Sequence, residues 1–155
     1  MKDFNLAQIN IAQSKASMES ETMKGFVERL DEINALADGS KGFVWRLQTE
    51  EGDATSIQAF DDPMIIVNMS VWEDLESLKN YVYKSAHVEL IRDRDAWFNK
   101  LKSMHQALWW VPAGHIPTVT EGTERLSILQ SKGPSNEAFT FAKPFLNLSQ
   151  LTAAV

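Results

Sequence analysis

The chain has 155 residues, no cysteine and a formal net charge of −6, with 44% hydrophobic and 23% charged residues. That length suits one domain with a real core. The lack of cysteine excludes disulfides, thiol nucleophiles and cysteine metal sites, and the acidic balance argues against nucleic acid as a partner. No stretch reads as a signal peptide or reaches transmembrane length, so no membrane is expected and the cytoplasm is the expected compartment.

The elements follow in order. Phe4–Gln13 alternates, with Leu6, Gln8, Asn10 and Ala12 on one face and Ala7, Ile9 and Ile11 on the other, which predicts a strand. A polar connector leads to a helix over about Glu21–Ala37, capped by Ser20 or Thr22, with Met23, Phe26, Val27, Leu30, Ile33 and Ala37 as its buried stripe. Asp38–Gly42 stops it. Phe43–Gln48 is the next strand. Thr49–Asp62 follows with five acidic residues, long enough to be a disordered hairpin tip or a lid.

Met64–Trp72 is a strand that runs straight into a helix. Its Ile65, Val67, Met69, Val71 face is fully apolar; the other carries Asn68 and Ser70 between Ile66 and Trp72. Both faces are therefore expected to be covered, the second by another subunit. Asp74 is the expected N-cap of the helix, whose pattern blurs at Lys84-Ser85-Ala86 and resumes through Leu101, so a break near His87 is expected. His105–Val111 reads as a strand ending at Pro112. Thr118 with Glu121 makes a capping box for a helix to Lys132, with Val119, Leu126 and Leu129 inward. Gly133-Pro134 stops it, Ala138–Lys143 alternates as a strand, and the tail is weakly patterned.

This order predicts an α+β domain over 1–155: a ferredoxin-like split βαβ core at about 4–112, with an added C-terminal helix and strand at about 113–155. Two helices would cover one sheet face. The other, carrying Trp and Ile, would be left bare, and a two-fold partner covering it is the simplest solution, which makes a homodimer the expected assembly.

The segments LAQINIAQ, GFVWRLQTE, NMSVWEDLESLKNYVYKSAH and LWWVPAGHIPTVTEGTERL resemble the DUF3291 family, a bacterial family of unknown function. The resemblance runs from Phe4 to about Phe145. It implies a dimeric alpha-beta barrel, in which two ferredoxin-like subunits close their sheets together and each often holds a pocket between sheet and helices. That superfamily includes antibiotic-biosynthesis monooxygenases, haem-degrading enzymes, polyketide cyclases and stress-response proteins, so it does not fix chemistry. In the haem-degrading branch an Asn, a Trp and a His form the site. Asn10 matches the Asn, Tyr81 stands where the Trp would be, and His87 matches the His only if the helix is shortened.

The catalytic candidates are His87, Tyr81 and Tyr83. His87 would move a proton near neutral pH, and the tyrosines would orient a ligand oxygen. The ordinary alternatives are a helix-terminal His bonding a carbonyl and tyrosines that pack with one end satisfied. The expected ligand-pocket residues are Asn10, Asn68, Arg46, Trp45, Trp72, Trp109, Trp110 and His115. The two amides could grip a substrate oxygen, or bond each other or a water. Arg46 needs Glu73, Asp74, a bound anion or a pair across the dimer. Trp109 and Trp110 must face opposite ways, one to the core and one to a pocket or interface; His115 gates a pocket or is exposed. Histidines at 87, 105 and 115 lack metal-ligand spacing, and no phosphate-binding loop or dinucleotide fingerprint occurs, so no metal and no cofactor is expected. The expected ligand is a small hydrophobic or aromatic organic molecule, met either by a cofactor-independent monooxygenase-like or cyclase-like enzyme or by a binding or sensing protein; a structural dimer without ligand is the third reading.

Overall fold

Phe4–Ser14 forms β1, the strand on which the sheet is built. The computed structural model describes residues 3–48, 59–84, 87–148 and 150, the side chains of His87 and Leu90 excepted. Along one edge β1 pairs antiparallel with a strand at Ile65–Trp72, from Leu6 opposite Trp72 to Gln13 opposite Ile65. Along its other edge it pairs with a strand at Gln106–Pro112, from Phe4 opposite Pro112 to Asn10 opposite Gln106, and then with a two-residue strand at Phe98–Asn99. A short strand at Phe43–Arg46 completes the sheet outside Ile65–Trp72. In chain order these are β2 (Phe43–Arg46), β3 (Ile65–Trp72), β4 (Phe98–Asn99) and β5 (Gln106–Pro112). The order across the sheet is β2-β3-β1-β5, all antiparallel. Helix α1 (Lys24–Asp38) joins β1 to β2; α2 (Leu75–Lys84) and α3 (His87–Asp93) lie between β3 and β4. The architecture is the ferredoxin-like α+β arrangement, extended by α4 (Val119–Lys132).

The two faces are packed differently. On one, Ala7, Ile9, Ile11, Val67, Met69, Val71, Ala107, Trp109 and Val111 form a single buried cluster with Leu126 and Leu129 of α4 and with Ala138. Ile9, Met69 and Trp109 have no exposed surface at all. The chain covers this face with its own α4, because Gly122, Leu126 and Leu129 present one helical stripe to it. The face expected to be covered by a second subunit is the other one, with Ile66, Asn68, Ser70 and Trp72, and α1 and α2 pack on it around Trp72. Gly122 allows the approach: a Cβ there would lie 2.9 Å from Met69 Sδ and 3.1 Å from Ile9 Cδ1.

The other face carries two separate clusters. Leu6, Trp72 and Leu108 pack with Ala37 of α1 and Leu78 and Val82 of α2. Met23, Phe26 and Trp97 form the second, with Leu30, Ile66 and Phe98 against it. Between them the sheet is polar.

Several expectations change. Trp97, Phe98 and Leu101 fit helical spacing, but the helix ends in a 3-10 turn at Arg94–Ala96 and Phe98–Asn99 pairs with the free edge of β1. α1 starts at Lys24 rather than Glu21, and its N-cap, Met23, has no side-chain bond. Ala138–Lys143 is not a strand: only Phe139 bridges to Leu108, through N–H···O bonds of 2.8 and 2.9 Å. Other expectations hold. Asp74 Oδ1 accepts from Ser77 N at 2.8 Å and Thr118 Oγ1 accepts from Glu121 N at 3.1 Å; the break expected near His87 falls at Ser85-Ala86, outside the described residues. The greater part of the acidic Thr49–Asp62 stretch lies outside the described residues. Its last residue accepts from Gln13 Nε2 and from Met64 N, both at 2.8 Å, and so fixes the start of β3.

Candidate functional site

The polar gap is built by alternation. Gln8 and Asn10 share one face of β1, Asn68 and Ser70 the same face of β3, and Gln106 that of β5. Register then sets them in rows, Ser70 opposite Gln8, and Asn68 opposite Asn10 opposite Gln106. Directly opposed residues have Cβ atoms roughly 5 Å apart, so the amides form a contiguous floor. Gln8 Nε2 donates to Asn68 Oδ1 at 2.7 Å and to Ser70 Oγ at 2.9 Å. Ser70 Oγ also accepts from Trp72 Nε1 at 2.8 Å. Gln8 and Ser70 are buried; Asn68 is exposed, although it sits in the middle of an internal strand.

The two asparagines are held alike. Asn68 Oδ1 is taken by Gln8, and Asn10 Oδ1 lies 3.3 Å from His105 Nδ1. No described residue accepts from either Nδ2. The site therefore holds two amide groups, Asn68 with its oxygen anchored by Gln8 and Asn10 against the His105 ring, and no described residue takes the N–H bonds of either. Such a pair can donate to one electron-rich oxygen.

Tyr81 and Arg46 are committed elsewhere, and His105 alone of the titratable groups named here meets the row. Tyr81 stacks on Trp72 with ring centroids 5.1 Å apart, and its hydroxyl donates to the Ile33 carbonyl at 3.2 Å. Burial pushes its pKa up, beyond what the nearby Arg46 pulls back. Arg46 takes Asp38, a partner outside the expected set, by bonds of 2.8 and 3.3 Å, because the last turn of α1 ends over β2. His105 is kept below the usual histidine range by desolvation and by the charge of Arg94.

The remaining sequence candidates are dispersed. Trp72 is core, and Trp45 packs against the cluster under α4. Trp109 and Trp110 do face opposite ways. Trp109 is fully buried under α4, its Nε1 donating to Glu121 Oε2 at 2.9 Å, while Trp110 is half-buried and donates to the Phe145 carbonyl at 2.8 Å. His115 lies 2.7 Å from Glu121 Oε1 at the start of α4, on the opposite side of the sheet from the amides. Tyr83 is 54% exposed and meets Phe141 edge-on, away from the row. His87 opens α3; its side chain lies outside the described residues. Sequence reasoning misses Gln8, Gln106 and His105. Gln8 is the recoverable one, since it shares a strand face with Asn10.

Two surface grooves lie elsewhere. One, about 300 Å³, runs from Ser40 and Lys41 to Ser77 and Tyr81; the other, about 740 Å³, lies between α2 and the C-terminal segment, with Tyr83, Trp110 and Phe145 along it. Neither is lined by Asn10 or Asn68. Both are open and flanked by charged side chains, whereas the amide row is an uncharged polar patch on the sheet whose donors no described residue takes. Among the described residues no group of three or more His, Cys, Asp or Glu could hold a metal ion, and no helix is long and apolar enough to cross a membrane.

The model of a domain of unknown function, DUF3291, matches residues 5–154. No curated protein matches the chain. Among solved structures, a putative antibiotic biosynthesis monooxygenase from Nitrosomonas europaea is 15% identical, covering 76% of this chain and 98% of its own, with a TM-score of 0.48. SnoaB, a cofactor-independent oxygenase from Streptomyces nogalater, is 12% identical over 72% of this chain and 95% of its own, at 0.47. A dabb family protein with a ferredoxin-like fold from Mesorhizobium loti is 16% identical over 76% and 99%, at 0.42. Nothing about chemistry follows from likeness at this level.

Proposed function

The chain belongs to the DUF3291 family, and we propose that it binds an uncharged, oxygen-bearing organic molecule, of aromatic or polyketide type, between its sheet and its helices. The observation that carries this reading is Asn68: an exposed carboxamide on an internal strand, its oxygen anchored by Gln8 and its N–H bonds unclaimed by any described residue. Donors whose carboxamide is already held in place by Gln8 are pre-positioned for an acceptor that displaces water. The row itself carries no formal charge and Arg46 is paired with Asp38, which favours a carbonyl or hydroxyl over a carboxylate. Apolar clusters flank the row on both sides.

Binding rather than turnover is the primary reading. Tyr81 is pinned and hard to ionise, which makes it a poor acid or base, and Tyr83 lies away from the row. The monooxygenase-like or cyclase-like chemistry that the resemblance implies needs a base, and His87, at the start of α3, is the residue whose substitution tests it. The expected result for His87→Ala is unchanged affinity for an aromatic ketone. A homodimer around the site is a further reading, and it would use a surface other than the one α4 covers.

Benzophenone, an uncharged aromatic ketone, is the first probe, with binding read by ligand-observed NMR. Asn68→Ala is expected to weaken it about tenfold, as loss of one or two hydrogen bonds does, with a loss of stability of about 1 kcal/mol because the buried Gln8 amide loses one acceptor and keeps Ser70; Asn68→Asp, which keeps that acceptor and removes the donors, is expected to weaken binding likewise. Equal binding by either variant, or none by the wild type, would overturn the reading.

A further inference from the structure

We infer that His105 is a positioning residue: it decides which end of the Asn10 amide faces the row, and so makes the site's taste for an acceptor oxygen depend on protonation. This rests on the amide row being the binding site. A carboxamide has nearly the same shape at both ends but opposite hydrogen-bonding character. Asn68 has no choice, since Gln8 Nε2 can only donate to it. Asn10 has one described side-chain partner, His105 Nδ1 at 3.3 Å, and that atom changes character.

When the ring is an imidazolium, Nδ1–H donates to Asn10 Oδ1 and the amide nitrogen turns to the row. Asn10 and Asn68 then form the matched pair of donors. When the ring is neutral with its proton on Nε2, Nδ1 accepts. Asn10 turns over, gives its N–H to the ring and presents Oδ1 to the row, where an acceptor oxygen meets repulsion and a hydroxyl finds a partner. Acid therefore locks the donor pair; neutrality admits both orientations.

The surroundings suit such a device. His105 precedes Gln106 at the edge of the row, and its carbonyl accepts from Ile11 N at 2.8 Å, so its backbone is fixed by β1. The charged group that acts on it is Arg94, in the turn after α3; from β1 its neighbour is Asn10, and from α4 the neutral Gln130, which donates to the preceding carbonyl of Met104. Crowding and Arg94 together favour the neutral ring near pH 7, so the change falls on the acid side of neutrality.

Two measurements test this. Heteronuclear NMR of the labelled protein without ligand should show the Asn10 side-chain amide signals following the titration of the His105 ring. Asn10 signals that ignore that titration would overturn the inference whether or not any ligand binds. Benzophenone affinity should rise about three- to tenfold from about pH 8 to about pH 5, the effect of one hydrogen bond. His105→Lys, whose ammonium can only donate, should hold the tighter affinity at both pH values. His105→Phe should hold the weaker one at both. A pH rise in affinity that persists in His105→Phe would overturn the inference, while failure of the wild type to bind at any pH would count against the binding site and leave the NMR result to decide the His105 switch.

Discussion

Glu121 shows how much one side chain can connect. It accepts from the fully buried Trp109 indole at 2.9 Å and meets His115 at 2.7 Å, so it ties α4 to β5. Burial acts to raise its pKa, but the bonds from His115 and Trp109 outweigh burial and hold the carboxyl below its ordinary value of 4.5. A folded pKa below the unfolded one gives stability that is present above the ordinary value and is lost as pH falls through the folded one. Glu121→Ala strands the Trp109 N–H and should cost about 1–3 kcal/mol near neutrality; urea unfolding at pH 7 and at about pH 3.5 should show the gap between wild type and variant narrowing in acid. The amide row is partly legible in the sequence. Asn10 and Asn68 each stand out as a polar residue on a mostly apolar strand face. Their meeting does not, because alternation fixes which face a residue takes and not its register with another strand. His105 gives no signal for the same reason: its contact with Asn10 exists only through the β1–β5 pairing.

Among the elements, two glycines carry close contacts. Gly42 has φ +84° where the chain turns from α1 into β2, and its carbonyl accepts from Glu73 N at 2.7 Å. A Cβ there would collide with the Ser77 hydroxyl in the first turn of α2. Gly42→Ala should therefore lose about 2 kcal/mol or more, left-handed backbone and collision together, read as a lowered denaturation midpoint. At Gly122 two effects oppose. Alanine is the better helix former by about 1 kcal/mol, but its Cβ would press on Met69 and Ile9, which are fully buried and cannot step aside into solvent. Overpacking of that kind costs about 1–3 kcal/mol, so Gly122→Ala should be destabilising in spite of its propensity. The stripe that buries α4 is readable as Val119, Leu126 and Leu129, but which surface it meets is not. Likewise the apolar spacing at Trp97, Phe98 and Leu101 suits a helix, and only the unpaired end of β1 explains why Phe98–Asn99 is extended.

At the scale of the whole molecule, α4 removes the reason for a partner on the sheet face it covers. Leu126 and Leu129 sit on that face 2% and 0% exposed. Replacing both with Glu should free the apolar sheet and produce concentration-dependent self-association in sedimentation, while the native chain shows none through that face. The same architecture sets an order of events in time. β1 is made first, yet its two edges are filled by β3 and by β5, which ends at Pro112. A strand that closes only on distant partners makes slow, high-contact-order folding. On the ribosome β1 must wait unpaired until both of those strands have been synthesised. Its Ile9 and Ile11 are then the stretch most in need of a chaperone.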